Sequence, residues 1–210
     1  MNELKIDIYQ DTVCPWCRIG QAHLMQALRK ISIEPLEINY KAFLLDPTTP
    51  PEGRPRSTLI EKLGGQQRSD EMHNRLCKIG EACGVEFHFE EIERIPNTLL
   101  SHQLIKLTPH DKQRAMVDAL HDAYFEQGLD IGQMDVLLDI AKSQGLDPVE
   151  VKGKLLAEEQ LPEVERDLAF AEAANISGVP FFVINDTYGI SGAQPVDVFV
   201  QALTQIAETT

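Results

Sequence analysis

The sequence predicts an α/β fold in which a β-α-β segment at one end of the chain and a β-β-α segment at the other enclose a large all-helical insertion. Three observations carry this expectation: apolar alternation near both termini, a cysteine pair where the first strand gives way to a helix, and helical periodicity through the long middle stretch.

Leu4 to Tyr9 alternate polar and apolar residues, with β-formers at Ile6 and Ile8, and read as a strand. From Pro15 to Ile31 the apolar residues Ile19, Ala22, Leu24, Met25, Ala27, Leu28 and Ile31 recur mostly at helical spacing, so a helix begins on the cysteine motif. Pro35 to Phe43 alternates again through Leu36, Ile38, Tyr40 and Ala42. A strand, a helix and a strand in this order form a unit whose right-handed crossover makes the strands parallel. Leu45 to Ser57, with Pro47, Pro50, Pro51, Gly53 and Pro55, is a loop that opens the insertion.

Within the insertion the spacing predicts helices over Ser57–Leu63, Asp70–Gly84, Asn97–Leu107, Asp111–Gln127, Met134–Gln144, Pro148–Leu156 and Pro162–Asn175, each punctuated by Gly or Pro. Val85 to Phe89 alternates and suits a short extended piece. Val179 to Asn185 is a compact apolar run, Asn185-Asp186 supply turn residues, and Tyr188 to Ser191 completes a hairpin. Pro195 then opens a last helix through Val198, Phe199, Ala202, Leu203 and Ile206.

Composition narrows the function classes. The 210 residues are 43% hydrophobic and 25% charged, ample for a packed core. A formal net charge of −14 repels phosphate backbones and anionic lipid, so nucleic acid and membrane surfaces are poor partners. The segment MNELKIDIYQ lacks a basic region leading into an apolar run, and no apolar stretch reaches bilayer length, so a cytoplasmic protein is expected. Four cysteines are too few for a secreted disulfide scaffold, which turns attention to their spacing.

Cys14-Pro15-Trp16-Cys17 follows a strand and opens a helix, the setting in which C-x-x-C reads as a redox pair. Unpaired N–H groups at a helix N-terminus favour a thiolate at Cys14. Cys17, one turn on, is close enough to attack a mixed disulfide on Cys14 and release the substrate. The competing reading of C-x-x-C is half a zinc site, but Cys77 and Cys83 do not form a second knuckle, and no metal is expected. In Ser177-Gly178-Val179-Pro180-Phe181 a proline stands at a strand start, where it has no ladder hydrogen bond to lose. In a cis Val179–Pro180 bond the Val179 backbone would be free to pair with a substrate strand; an ordinary turn proline is the alternative.

These stretches resemble the DsbA-like thioredoxin-fold proteins, most closely the cytosolic FrnE-like branch, through DTVCPWCRIG, KAFLLDPTTPPEG, IPNTLLSHQLI and SGVPFFVINDTYGISGAQP. The resemblance runs over essentially the whole chain and implies a thioredoxin-like domain formed by residues 1–45 and 176–210, with 57–175 inserted as a helical domain. It implies a thiol–disulfide oxidase, reductase or isomerase with Cys14 and Cys17 catalytic and with Val179 and Pro180, in the cis-proline position, shaping the substrate groove. Protein or small-molecule thiols and disulfides would be the partners, with no tightly bound cofactor and glutathione as a redox partner. The same superfamily includes glutathione-dependent isomerases and transferases that usually carry serine at the position of Cys14. A redox-inactive binding module or chaperone is the third reading.

Other residues carry softer expectations. Pro15 and Trp16 would shape redox potential and substrate contact. For His102 a core or surface histidine is the default reading, and substrate contact is the alternative, since the resemblance places its helix beside the groove. Asp11 is close enough to take the Cys17 proton or to cap the helix. Cys77 and Cys83 lie six residues apart on a helix, about 120° around and roughly 9 Å along it, beyond the disulfide reach of about 7 Å unless the helix breaks at Gly80. Some FrnE-like proteins resemble this one in carrying an extra cysteine pair, which keeps an accessory disulfide open.

Overall fold

The structure, a computed structural model, describes residues 4–33 and 37–209. Strand β1 (Lys5–Gln10) leads into helix α1 (Pro15–Ile31) and strand β2 (Glu37–Ala42). β1 and β2 run parallel, with Lys5 opposite Glu37 and Gln10 opposite Ala42, as the helical crossover demands. Of the strand expected over 35–43, Pro35 and Leu36 lie outside the described residues.

The middle of the chain holds a two-residue strand β3 (Arg54–Pro55), helices α2 (Arg56–Lys62) and α3 (Gln66–Cys83), a two-residue strand β4 (Arg94–Ile95), and helices α4 (Leu99–Leu107), α5 (Gln113–Phe125), α6 (Met134–Ser143), α7 (Pro148–Leu156) and α8 (Leu161–Ala173). Strands β5 (Phe181–Ile184) and β6 (Tyr188–Ser191) form the hairpin, and α9 (Val196–Thr209) closes the chain. The main sheet has the order β2-β1-β5-β6, with β5 antiparallel to β1 and to β6.

Most boundaries fall close to the sequence expectation, and the exceptions have local causes. α3 begins at Gln66 rather than Asp70, because its first turn, Gln66 to Ser69, is polar throughout and so leaves no apolar period; Gln66 donates to Asp70 and Gln67 to Glu71 instead. Residues 110–112 form a 3₁₀ turn ahead of α5, where the spacing predicts α-helix. Val85 to Phe89 alternates in burial yet pairs with no strand. Gly84 ends α3 at φ 81°, and the segment is pinned when His88 N–H donates to the Phe125 carbonyl at 2.7 Å. The short β3–β4 ladder, Arg54 opposite Ile95 and Pro55 opposite Arg94, was not legible at two residues a strand.

One face of the sheet presents Ile6, Ile8, Phe182 and Ile184 to Ile19, Leu24 and Leu28 of α1 and to Phe199, Leu203 and Ile206 of α9, all buried. Phe182 meets Phe199 edge-on, with centroids 4.9 Å apart, a geometry worth roughly 0.5–1.5 kcal/mol beyond area burial. The same buried cluster continues into Leu76, Leu104, Met116, Leu120 and Phe125 of the insertion, so one core joins both parts of the chain. The opposite sheet face packs Tyr9 against Ala171 and Ile176 at the end of α8. Because both faces of β1 are covered, its residues after Lys5 are all buried, not only the alternate ones.

Candidate active site

β1 ends at Gln10, and three residues later the chain enters α1 with Cys14 as its N-cap, in extended geometry (φ −91°, ψ 111°). The Cys14 N–H donates to the Asp11 carbonyl at 2.9 Å, and the Cys17 N–H donates to the Cys14 carbonyl at 3.0 Å, closing the first turn. No side chain caps the helix and no acidic residue lies in its first turn. The positive end of the helix therefore faces the motif with no carboxylate in the helix's own first turn to neutralise it.

Both cysteines are buried free thiols, 3% and 2% exposed. Cys14 Sγ lies 3.7 Å from the Val179 carbonyl oxygen, and the Val179–Pro180 bond is cis, as the family resemblance implies. Pro180 is held from two sides. Its carbonyl accepts from the Gly192 N–H at 2.8 Å, and Gly20 of α1 passes so close that a Cβ there would sit 2.7 Å from Pro180 Cγ. Burial pushes the Cys17 thiol well up, helped by Cys14 beside it, while a backbone hydrogen bond at Asp11 draws it partly back. Cys17 is thereby held as a thiol in the neutral range.

Cys14, Pro15, Trp16 and Val179 line one side of a groove of about 260 Å³. The middle of the chain supplies the other walls, through Arg56, Leu59 and Ile60 of α2, Met72 and His73 of α3, and Phe89, Ile92, Ile95, Tyr124 and Phe125. His73 stacks on Phe89 with centroids 4.1 Å apart, and burial lowers its basicity. None of these wall residues was singled out in the sequence. They come from separate segments, and no spacing rule ties Arg56 or His73 to Cys14.

His102 is a buried histidine rather than the substrate contact of the alternative reading. It is 2% exposed, lies outside the groove lining, and turns its Nε2 toward Asp11 Oδ1 at 3.4 Å. Asp11 does not cap α1 either; its Oδ2 accepts from the Leu45 N–H at 2.8 Å, fastening the start of the proline-rich loop. Next to Cys17, Arg18 is buried and donates to Glu86 O at 2.9 Å, Asp122 Oδ1 at 2.6 Å and Glu126 Oε1, tying α1 to α5.

α3 runs unbroken through Cys77 and Cys83, so the helix break that a bridge between them needs is not there, and both are free thiols. Cys77 Sγ approaches the Phe87 carbonyl at 3.5 Å, and Gln26, in the middle of α1, donates to the Cys83 carbonyl. Among the described residues no group of three or more His, Cys, Asp or Glu is placed to hold a metal ion, and no helix is long and apolar enough to cross a membrane.

Comparison with known proteins agrees with this geometry. A Streptomyces coelicolor protein described as a probable DsbA oxidoreductase superposes with a TM-score of 0.86 at 30% identity, covering 97% of this chain and 89% of that one. The Bacillus subtilis protein YwbO is 27% identical over 201 residues, 95% of each chain. The cytosolic disulfide reductase DsbM of Pseudomonas aeruginosa, solved with GSH, shares the fold at a TM-score of 0.68 and 15% identity, over 96% of this chain and 98% of that one. The DSBA-like thioredoxin domain description matches residues 5–204, and with the cysteine pair at a helix start facing a cis-proline loop, the chain belongs to the DSBA-like thioredoxin domain family.

Proposed function

We propose that the protein is a thiol–disulfide oxidoreductase in which Cys14 attacks and Cys17 resolves. The observation that carries this reading is Cys14 Sγ at the N-terminus of α1, 3.7 Å from the carbonyl of the cis Val179–Pro180 segment, with protonated, buried Cys17 one turn behind. The Cys14 thiolate displaces one sulfur of a substrate disulfide, forming a mixed disulfide and releasing the first thiolate. Cys17 then loses its proton, attacks Cys14 Sγ, and expels the second thiolate as the Cys14–Cys17 disulfide forms. Run backwards, the same steps oxidise a dithiol.

Val179 and Pro180 shape one lip of the groove, and the Val179 N–H has no backbone partner among the described residues, which suits pairing with an extended chain. Pro15 and Trp16 form the adjoining lip. His102 enters this reading through Asp11 rather than through substrate. Residues 1–45 with 176–210 serve as the thioredoxin-like part and 57–175 as the inserted part that walls the groove. The chemistry needs no tightly bound cofactor. Glutathione as redox partner and a cytoplasmic setting are part of the reading, supported by the fold shared with the cytosolic reductase DsbM, solved with GSH. Assignment to the FrnE-like branch rests on the sequence stretches quoted above.

The test is Cys17→Ser incubated with glutathione disulfide. A stable adduct of one glutathione on Cys14, with turnover abolished, is expected. Retention of turnover without Cys17 would point instead to a glutathione-dependent isomerase and overturn the redox assignment.

A further inference from the structure

The groove beside Cys14 is electrostatically unlike the rest of the molecule. The chain carries 33 Asp and Glu against 19 Lys and Arg, yet among the described residues no carboxylate lines the groove. Its ionisable lining residues are Cys14, Arg56, His73 and Tyr124. Burial lowers the basicity of His73 and pushes the Tyr124 phenol up, and Arg56 is the one permanently cationic side chain among the lining residues.

Arg56 is half-buried and makes no ion pair within 4 Å among the described residues. Its guanidinium has a single long hydrogen bond, Nη1–H to the Glu90 carbonyl at 3.4 Å. The neighbouring basic residues are engaged: Arg54 donates to the Thr48 carbonyl at 2.7 Å, and Lys62 pairs with Asp46 at 2.6 Å. A guanidinium left without a carboxylate within 4 Å in so acidic a chain, in a groove whose lining includes the apolar residues Trp16, Leu59 and Phe89, has its five donors largely unspent. A planar anion is the group that fits such a fork.

Building on the oxidoreductase reading, we propose that the groove selects small disulfides that carry a carboxylate beside an apolar or aromatic body, with Arg56 holding the carboxylate while Cys14 attacks the sulfur. In the reaction the ligand S–S bond breaks, the Cys14 mixed disulfide forms, and one carboxylate-bearing thiolate leaves. Cys17 then displaces the second, so the protein dithiol is oxidised and the ligand reduced to two thiols. Arg56 takes no part in electron or proton transfer; it sets which ligand dwells at Cys14.

The experiment compares two chromogenic aromatic disulfides, dithiobis(nitrobenzoate), anionic on both halves, and dithiodipyridine, neutral at pH 7. Rates with the reduced protein are each divided by the rate with dithiothreitol, which removes the intrinsic reactivity of the two disulfides. The normalised rate is expected to favour the anionic disulfide. Arg56→Gln is expected to lower the second-order rate constant of the reduced protein for it by about tenfold and to leave that for the neutral one within twofold, with Arg56→Lys recovering part of the loss. A normalised ratio in the unaltered protein that favours neither disulfide overturns the inference, as does an equal loss on both in Arg56→Gln. Failure of the unaltered protein to react with either disulfide overturns the oxidoreductase reading and this inference with it, a result distinct from reaction without preference.

Discussion

Asp11 Oδ1 and His102 Nε2 face each other at 3.4 Å, with both side chains 2% exposed, in the turn that delivers Cys14 to the start of α1. Neither atom has a hydrogen-bond partner at normal distance among the described residues. A buried carboxylate with a spare oxygen beside Cys17 is equipped to take the proton that Cys17 must lose, and burial of Cys17 makes that step the demanding one. Asp11→Asn keeps the shape and the bond from the Leu45 N–H. It is expected to slow release of the second thiol from an asymmetric chromogenic disulfide by roughly 100-fold at pH 7, with the first release, from attack by Cys14, changed less than twofold. Stopped-flow separation of the two releases checks this. Equal slowing of both steps, or a faster second one, would show that Asp11 acts only by its charge or its fold.

His121 is fully buried on α5, and neither ring nitrogen has a partner among the described residues. Burial, then the charge of Arg18, pushes its pKa down to about 3. A depressed folded value stabilises the fold above the unfolded value of about 6.5 and loses that contribution as pH falls toward 3, because the unfolded chain takes up the proton first. The slope is about 1.4 kcal/mol per pH unit, or roughly 2–3 kcal/mol between pH 7 and pH 4.5. Urea unfolding of His121→Leu should show little change at pH 7 and should escape most of that acid loss. Parallel acid limbs for the two proteins would remove His121 from the account.

Arg18 is the buried hub between α1 and α5, and its partners Asp122 and Glu126 are 47% and 30% exposed. Its removal strands two carboxylates that can still reach water, so the cost sits below that of a wholly buried pair. Arg18→Ala should lose about 2–3 kcal/mol in chemical denaturation. Arg18→Lys should recover little, since a single ammonium cannot reproduce the fork to Glu86, Asp122 and Glu126. Full recovery by lysine would mean that charge alone is at stake.

What the sequence shows well is local. The strand, the C-P-W-C turn and the helix after it are dictated within some thirty residues by alternation, a proline in the first turn and a 3.6-residue period. The apolar run after Pro180 and the Asn185-Asp186 turn likewise define the hairpin without help from the rest of the chain. The far wall of the groove obeys no such rule. Arg56 is the first residue of a seven-residue helix whose place the sequence shows to within one residue, but nothing in its spacing turns that residue toward Cys14, and His73 lies on a helix whose period says nothing of the groove. Asp11 and His102 were each visible as polar residues near a helix start, yet only tertiary packing brings them together across ninety residues and buries them both. Burial of this kind is a property of pairs, and a single sequence lists residues one at a time.

Gly20 shows how tightly α1 and the cis-proline loop are fitted. On propensity alone, alanine inside a helix is better than glycine by about 1 kcal/mol. Here the added Cβ would lie 2.7 Å from Pro180 Cγ, 3.2 Å from Phe182 Cζ and 3.3 Å from Ala193 Cα. The proline ring, fixed by the Gly192 N–H bond to its carbonyl, has little room to yield, and overpacking of this kind costs roughly 1–3 kcal/mol. The clash outweighs the propensity gain, so Gly20→Ala should lower the denaturation midpoint. The same displacement moves Val179 and Pro180 away from Cys14 Sγ, so thiol–disulfide exchange with a peptide disulfide should fall by more than exchange with a small one that does not pair with Val179. If Gly20→Ala is instead stabilised with both rates intact, the loop can retreat at no cost, and the fit between α1 and Pro180 does not set the geometry at Cys14.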